Sequence, residues 1–240
     1  SQANFSSRGI TSYFIIVYLL IIGIVGSFMG SLPSTEPKTL SYALLAIVSY
    51  ALLYLLPALL MTKGLSVLLR SRSRPAAWKT FAIHLTACLS GTDTLLFLLR
   101  IFSLYGYHFN AFVWNLITTP GGIAALGSTV ETQATAALAS TLLLLGNAAV
   151  LWALHRWDSL NNGFYTRKPL VYGALLLLSL CLIVEEGAHA YARFVNDEPA
   201  LMAASIIPLH LNSSATKFFK AAGVARPPIQ ERVRISHGDI

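Results

Sequence analysis

The sequence predicts an all-α membrane protein with five transmembrane helices and short interfacial helices. Two observations carry that prediction. The 240-residue chain is 55% hydrophobic and only 11% charged, with a mean hydropathy of +0.63. A soluble globular domain carries roughly 25% charged residues. Five apolar stretches are also long enough to cross about 30 Å of hydrocarbon as helices. They lie near 11–30, 39–62, 79–104, 132–154 and 170–192.

The opening "SQANFSSRGI" has neither the short apolar core nor the small-residue cleavage site of a signal peptide, so the first run is expected to stay as an anchor. Only Glu36 and Lys38 charge the connection to the second run. After it comes "GLSVLLRSRSRPAAW", apolar, then basic, then broken by Pro75. Either this stretch lies along the head groups as an amphipathic piece or it is a solvated, orientation-setting loop. Beyond the third run, "YGYHFNAFVWNLITTPGGIAALGSTVET" is aromatic and too short to span twice. It reads as an interfacial helix and loop, with Asn110 capping a helix through Leu116 and His108 and Trp114 at the membrane–water boundary. Lys63, Arg70, Arg72, Arg74 and Lys79 follow the second run, and Arg156, Arg167 and Lys168 follow the fourth. The positive-inside rule makes these loops cytoplasmic, hence an N-terminus inside and everything after about residue 193 outside.

Net charge is +7, for which anionic lipid head groups are the natural counter-ions. Nucleic acid binding would require a basic, aromatic-studded face outside the membrane, and none is present in the sequence pattern. Cys88 and Cys181 both lie within apolar runs and are read as buried, inert thiols. Charges inside spans are expensive and therefore informative. Asp93 and Arg100 lie two turns apart in the third span, and Glu185, Glu186 and His189 near the end of the fifth. Two readings remain open for them: a polar site opening outward, or an ion pair between Arg100 and a fifth-span glutamate. His84 reads as a satisfied buried histidine. The titratable residues after the spans, among them His210, Asp197 and Glu198, show no repeated spacing. No catalytic constellation, metal site or cofactor is expected from these 240 residues.

"NSSATKFFKAAG", 212–223, reads as a complete small helix. Asn212 or Ser213 caps it, Gly223 stops it, and Ala215, Phe218, Phe219 and Ala222 share one face. As a lipid clamp, the phenylalanines would enter the outer leaflet while Lys217 and Lys220 stay at phosphate level. Asn212, Ser213, Ser214 and Thr216 would add hydroxyls and backbone N–H groups for a phosphate. The other reading packs the phenylalanines on protein and leaves the lysines solvated.

"YHFNAFVWNLITTP" after the third span and "IIPLHLNSSATKFFKAAGV" after the fifth resemble the membrane half of the PbgA/YejM proteins of Gram-negative inner membranes. Pro208, Leu209, Ala215, Lys217, Phe218 and Gly223 match that family's pattern after the last span, and Pro199 and Met202 match upstream. Thr216 and Lys217 stand where its best-known members carry two arginines. A lysine holds phosphate as a point charge rather than a bidentate fork. The resemblance implies a five-span domain over 1–192, an outer lipid-binding segment over 193–225, and a linker over 226–240 to a periplasmic sulfatase-like domain. It implies a sensor or regulator of lipopolysaccharide that binds lipid A, or another anionic phospholipid such as cardiolipin, and has a regulatory protein partner within the membrane. Phosphoethanolamine and lipoteichoic acid synthesising enzymes share the five-span plan, so the anchor of a lipid head-group phosphotransferase is the alternative.

Overall fold

Long apolar segments in a membrane must satisfy every backbone polar group internally, and a helix does so within one segment. The computed structural model describes residues 8–32, 36–70, 73, 75–105, 130–160, 168–205, 207–211 and 213–225. Its helices are α1 (Arg8–Gly26), α2 (Pro37–Arg70), α3 (Ala76–Tyr105), α4 (Val130–Leu160), α5 (Lys168–Val195), α6 (Glu198–Ser205) and α7 (Thr216–Ala221). A short 3-10 turn, Ser27–Ser31, follows α1. There is no strand among the described residues. The first five helices are each long and apolar enough to cross a membrane.

Their ends differ from the apolar windows in a consistent way. The first helix stops at Gly26 and tightens into the 3-10 turn, while the other four run past both ends of their windows. Hydropathy marks the stretch that needs hydrocarbon, whereas hydrogen bonding continues through the polar turns beyond it. α2 shows this best. The apolar part of "GLSVLLRSRSRPAAW" forms the last turns of its 34-residue helix rather than a separate surface piece, and Pro75 precedes the start of α3.

The core has a clear hierarchy. Tyr13, Val17, Ile21 and Val25 recur every four residues on α1 and are all fully buried. They face Ala46, Ile47, Tyr50 and Ala51 of α2 and Ala87, Cys88, Leu95 and Leu98 of α3 within one cluster. α2 packs against α1, α3, α5 and α6, and α4 closes on α1 and α3. Gly9 permits that closure, because a methyl there would sit 3.0 Å from the His155 Cα. Across the bundle, the Tyr13 hydroxyl donates to the Asn147 side-chain carbonyl at 3.2 Å. Leu19, Leu20, Leu142, Leu145, Leu176 and Ile183 are exposed, as helix faces meeting lipid tails would be. Span hydroxyls such as Ser49, Thr86, Thr94 and Ser179 bond back to the carbonyl four residues earlier, which satisfies each within its own helix. Cys88 and Cys181 are both unpaired thiols, the first buried and the second half-buried.

α5 is held differently. Among its described residues the buried side chains are Glu185, His189, Ala190, Ala192 and Phe194, all in its last turns. A span gripped at one end through a glutamate and a histidine positions the site described next.

Candidate functional site

α5 ends with Asn196 in the left-handed region (φ 61°), and the Asp197 N–H returns to the Ala192 carbonyl at 2.8 Å. That corner turns the chain back over the bundle into α6. The sequence reading left α6 unassigned, although Asp197, then Glu198 and Pro199 in the first turn, are ordinary helix-start chemistry. Ala200, Ala203 and Ala204 let α6 lie close on α2 and α5. Lys38, at the start of α2, forms an ion pair with Asp197 and ties the corner down.

Residues 207–211, with Ser213 beside them, then plug the end of the bundle. Ile207 is fully buried, and the Pro208 carbonyl accepts a hydrogen bond from the Tyr54 hydroxyl. Leu209 adopts φ 54°, a left-handed turn that points the chain back inward. The His210 ring stacks on Tyr50 with centroids 4.8 Å apart and lies 4.4 Å from the His189 ring. Its Nε2 is 2.9 Å from Glu185 Oε1, which also accepts from the Tyr42 hydroxyl at 2.7 Å. Tyr42 in turn lies 3.3 Å from His189 Nδ1. Beside this, the Tyr50 hydroxyl donates to Glu186 at 2.6 Å and accepts the Leu211 N–H at 2.7 Å. The Ser213 hydroxyl donates to the other oxygen of Glu186. Glu185 is 0% exposed and His189 3%, and the His210 side chain is 4% exposed.

The structure brings Glu185, Glu186 and His189 together around His210, Tyr42 and Tyr50, residues that the sequence pattern does not single out. Local spacing gives no reason to group His210, or Tyr42, Tyr50 and Tyr54, with the fifth-span charges. A signal existed. Three tyrosines within one span, two of them a single turn apart, are unusual away from the boundary and call for buried partners. Both glutamates bond to tyrosines, a histidine and a serine on other elements; the Arg100 side chain lies outside the described residues. Asp93 is elsewhere, exposed in a cleft of about 260 Å³ between α3 and α4, beside Thr92, Ser140 and Thr141. His84 is half-buried, with Nδ1 2.8 Å from the Thr80 carbonyl. Among the described residues no group of three His, Cys, Asp or Glu is placed to hold a metal ion. His108, Asn110 and Trp114, with the interfacial helix assigned to them, lie outside the described residues, as do the proposed linker 226–240 and Asn212.

The small helix follows the plug. Gly223 sits at φ 71°, its N–H bonds to the Lys220 carbonyl, and the Val224 N–H reaches the Phe219 carbonyl, a Schellman stop. The start differs from expectation. Helical geometry begins at Thr216, Ala215 occupies the cap without a side-chain bond, and the Ser213 hydroxyl is committed to Glu186. Six residues leave little dipole, so any anion there would be held by side chains rather than by the helix start. The two phenylalanines also divide. Phe219 packs against Tyr191 and Phe194 of α5, with centroids at 5.7 Å and 5.3 Å. Phe218 is 68% exposed, and Ser214, Thr216, Lys217 and Lys220 are exposed around it.

A search of curated proteins finds no match to the chain. A family profile described as "Domain of unknown function (DUF3413)" matches residues 10–233, a range that takes in α1 from its third residue, the other four long helices, the plug and the small helix. A match over nearly the whole chain, on a fold of five spanning-length helices, places this protein in the DUF3413 family.

Proposed function

We propose that the chain is the membrane domain of an inner-membrane sensor or regulator of lipopolysaccharide, which binds a phosphorylated lipid of the lipid A class at the periplasmic leaflet. The observation that carries this reading is the exposed trio Lys217, Phe218 and Lys220 on a helix that Phe219 docks to the end of α5. An exposed aromatic ring between two ammonium groups suits the boundary where acyl chains meet phosphates. Burying Phe218 in the leaflet would contribute about 1.5–3 kcal/mol, and each lysine about 1 kcal/mol near an anionic surface. The ring anchors and the lysines select. Family membership supports the reading, because this family occurs as the N-terminal membrane domain of PbgA/YejM-like proteins. The basic connections after the second and fourth spans support a periplasmic location for α7.

Native mass spectrometry against lipid A and its dephosphorylated form tests the proposal. Phe218→Ala should weaken binding of both lipids. Lys217→Ala with Lys220→Ala should remove the preference for the phosphorylated form and leave residual binding. An unchanged phosphate preference in the double lysine variant would mean that α7 is a spacer.

A further inference from the structure

Hydroxyl side chains recur along the middle of α3, and one of them differs from its neighbours. Thr86, Ser90 and Thr94 each bond back to the carbonyl four residues earlier. The Thr92 hydroxyl makes no such bond; it is buried without a hydrogen-bond partner among the described residues. Thr92 lines the cleft of about 260 Å³ between α3 and α4, next to Asp93. Asp93 is exposed, and among the described residues no lysine, arginine or histidine lines that cleft. A carboxylate within a span is costly in hydrocarbon, and such groups take a partner. Ser140 and Thr141 close the polar side from α4, and Leu89 and Leu144 make apolar walls. The Thr141 hydroxyl donates to the Ala137 carbonyl at 2.8 Å, so its lone pairs remain to accept.

The chemistry of this wall selects its ligand. A carboxylate only accepts, and the Thr141 hydroxyl has spent its one donor, so the complement is a cation carrying several N–H donors. A primary ammonium is such a group, with three N–H bonds to give. Threonine has two favoured rotamers in a helix, so the uncommitted Thr92 hydroxyl can turn toward that ammonium without giving up a bond. Depth and size narrow the source. Asp93 lies six residues before the end of the apolar window of α3, and Thr141 four residues after the start of that of α4. At about 1.5 Å per residue the cleft is about 6–9 Å below those ends, within two helical turns of head-group level. Its volume receives one small head group, whereas a helix with side chains is about 10–12 Å across. Leu142, beside Thr141, is exposed as a lipid-facing residue is.

We propose that the cleft between α3 and α4 binds a phospholipid whose head group ends in a primary ammonium. The ammonium sits against the Asp93 carboxylate and donates to Thr141 and Thr92, while the leucines meet the apolar part of the lipid. Asp93 thereby gains its counter-charge within the membrane. A trimethylammonium head group carries the same charge but no N–H, so the site distinguishes the two by hydrogen bonding alone. This site is opposite in sign to the lysine-bearing surface of α7 and does not rest on what that surface binds.

Native mass spectrometry of the purified chain with phosphatidylethanolamine and phosphatidylcholine of identical acyl chains tests the site. Both lipids carry the same phosphate, so the comparison is blind to any phosphate selection by α7. The native chain should bind phosphatidylethanolamine about tenfold more tightly, the size of one charge-assisted hydrogen bond. Asp93→Asn keeps the shape and removes the charge, so the two lipids should then bind about equally. Its thermal unfolding in detergent should match the native protein, because Asp93 is exposed. Thr141→Val should lose part of the preference with the carboxylate still in place. Soluble ethanolamine should not displace the lipid, since it brings nothing for the leucine walls. Equal binding of the two lipids by the native chain overturns the proposal, and so does a full preference retained in Asp93→Asn. Displacement by ethanolamine would make the ligand a small amine instead. A preference that emerges only in Arg100→Gln would pair Asp93 within its own helix and likewise overturn the lipid site.

Discussion

Tyr50 shows how one hydroxyl can join three elements. It reaches from α2 to Glu186 on α5 and receives the Leu211 N–H of the plug, while its ring supports His210. Removing the oxygen would leave a backbone N–H and part of a carboxylate without their partner in a part-buried setting. Tyr50→Phe should therefore destabilise the purified protein by about 1–3 kcal/mol. Thermal unfolding in detergent measures the loss, and a stability equal to the native protein would show that water replaces both bonds. Glu185 and His189 were legible in the sequence as costly charges in a span, because hydropathy alone exposes them. Tyr42 and His210 were not, since nothing in local spacing says that residues 143 and 25 positions from Glu185 will meet it.

Helix contacts rest on small residues that let neighbouring backbones and rings approach. Gly91 on α3 faces the buried Tyr13 of α1, and a methyl group at this position would run into the Tyr13 hydroxyl, which is held by Asn147 of α4. Gly91→Ala should cost about 1–3 kcal/mol, as overpacking does in a close-packed interior. Tyr13→Phe in the same chain should recover part of that loss, because it removes the clashing oxygen. Strictly additive losses in the double variant would place the strain elsewhere. At the end of α5, Phe219→Ala should release α7 and raise proteolysis near Gly223, whereas Phe218→Ala should leave that cleavage unchanged, since only Phe219 is docked on Tyr191 and Phe194. Equal sensitivity of the two variants would show that both rings anchor on protein.

At the scale of the molecule, the bundle places the start of α2, the end of α5, α6 and the plug at one end. In the proposed orientation that end faces the outside. Reporter fusions after Arg72 and Asn162 should read cytoplasmic, and fusions after Lys38 and Gly223 should read external. A cytoplasmic signal after Gly223 would remove the basis for a periplasmic lipid site while leaving the helical bundle intact.

The sequence alone determined that the chain is helical and crosses a membrane, because hydrocarbon solvates no exposed peptide group and five apolar runs have the required length. It also determined the stop of α7, since Gly223 accepts the positive φ that ends a helix. Only the tertiary structure decided what the polar residues do. Ser213 was available as a helix cap by local spacing, yet its hydroxyl bonds to Glu186. Phe218 and Phe219 are adjacent in sequence, yet one docks and the other faces outward. Local preferences of that kind are worth about 1 kcal/mol, and leaving a part-buried carboxylate unsatisfied costs at least as much, so long-range partners override them.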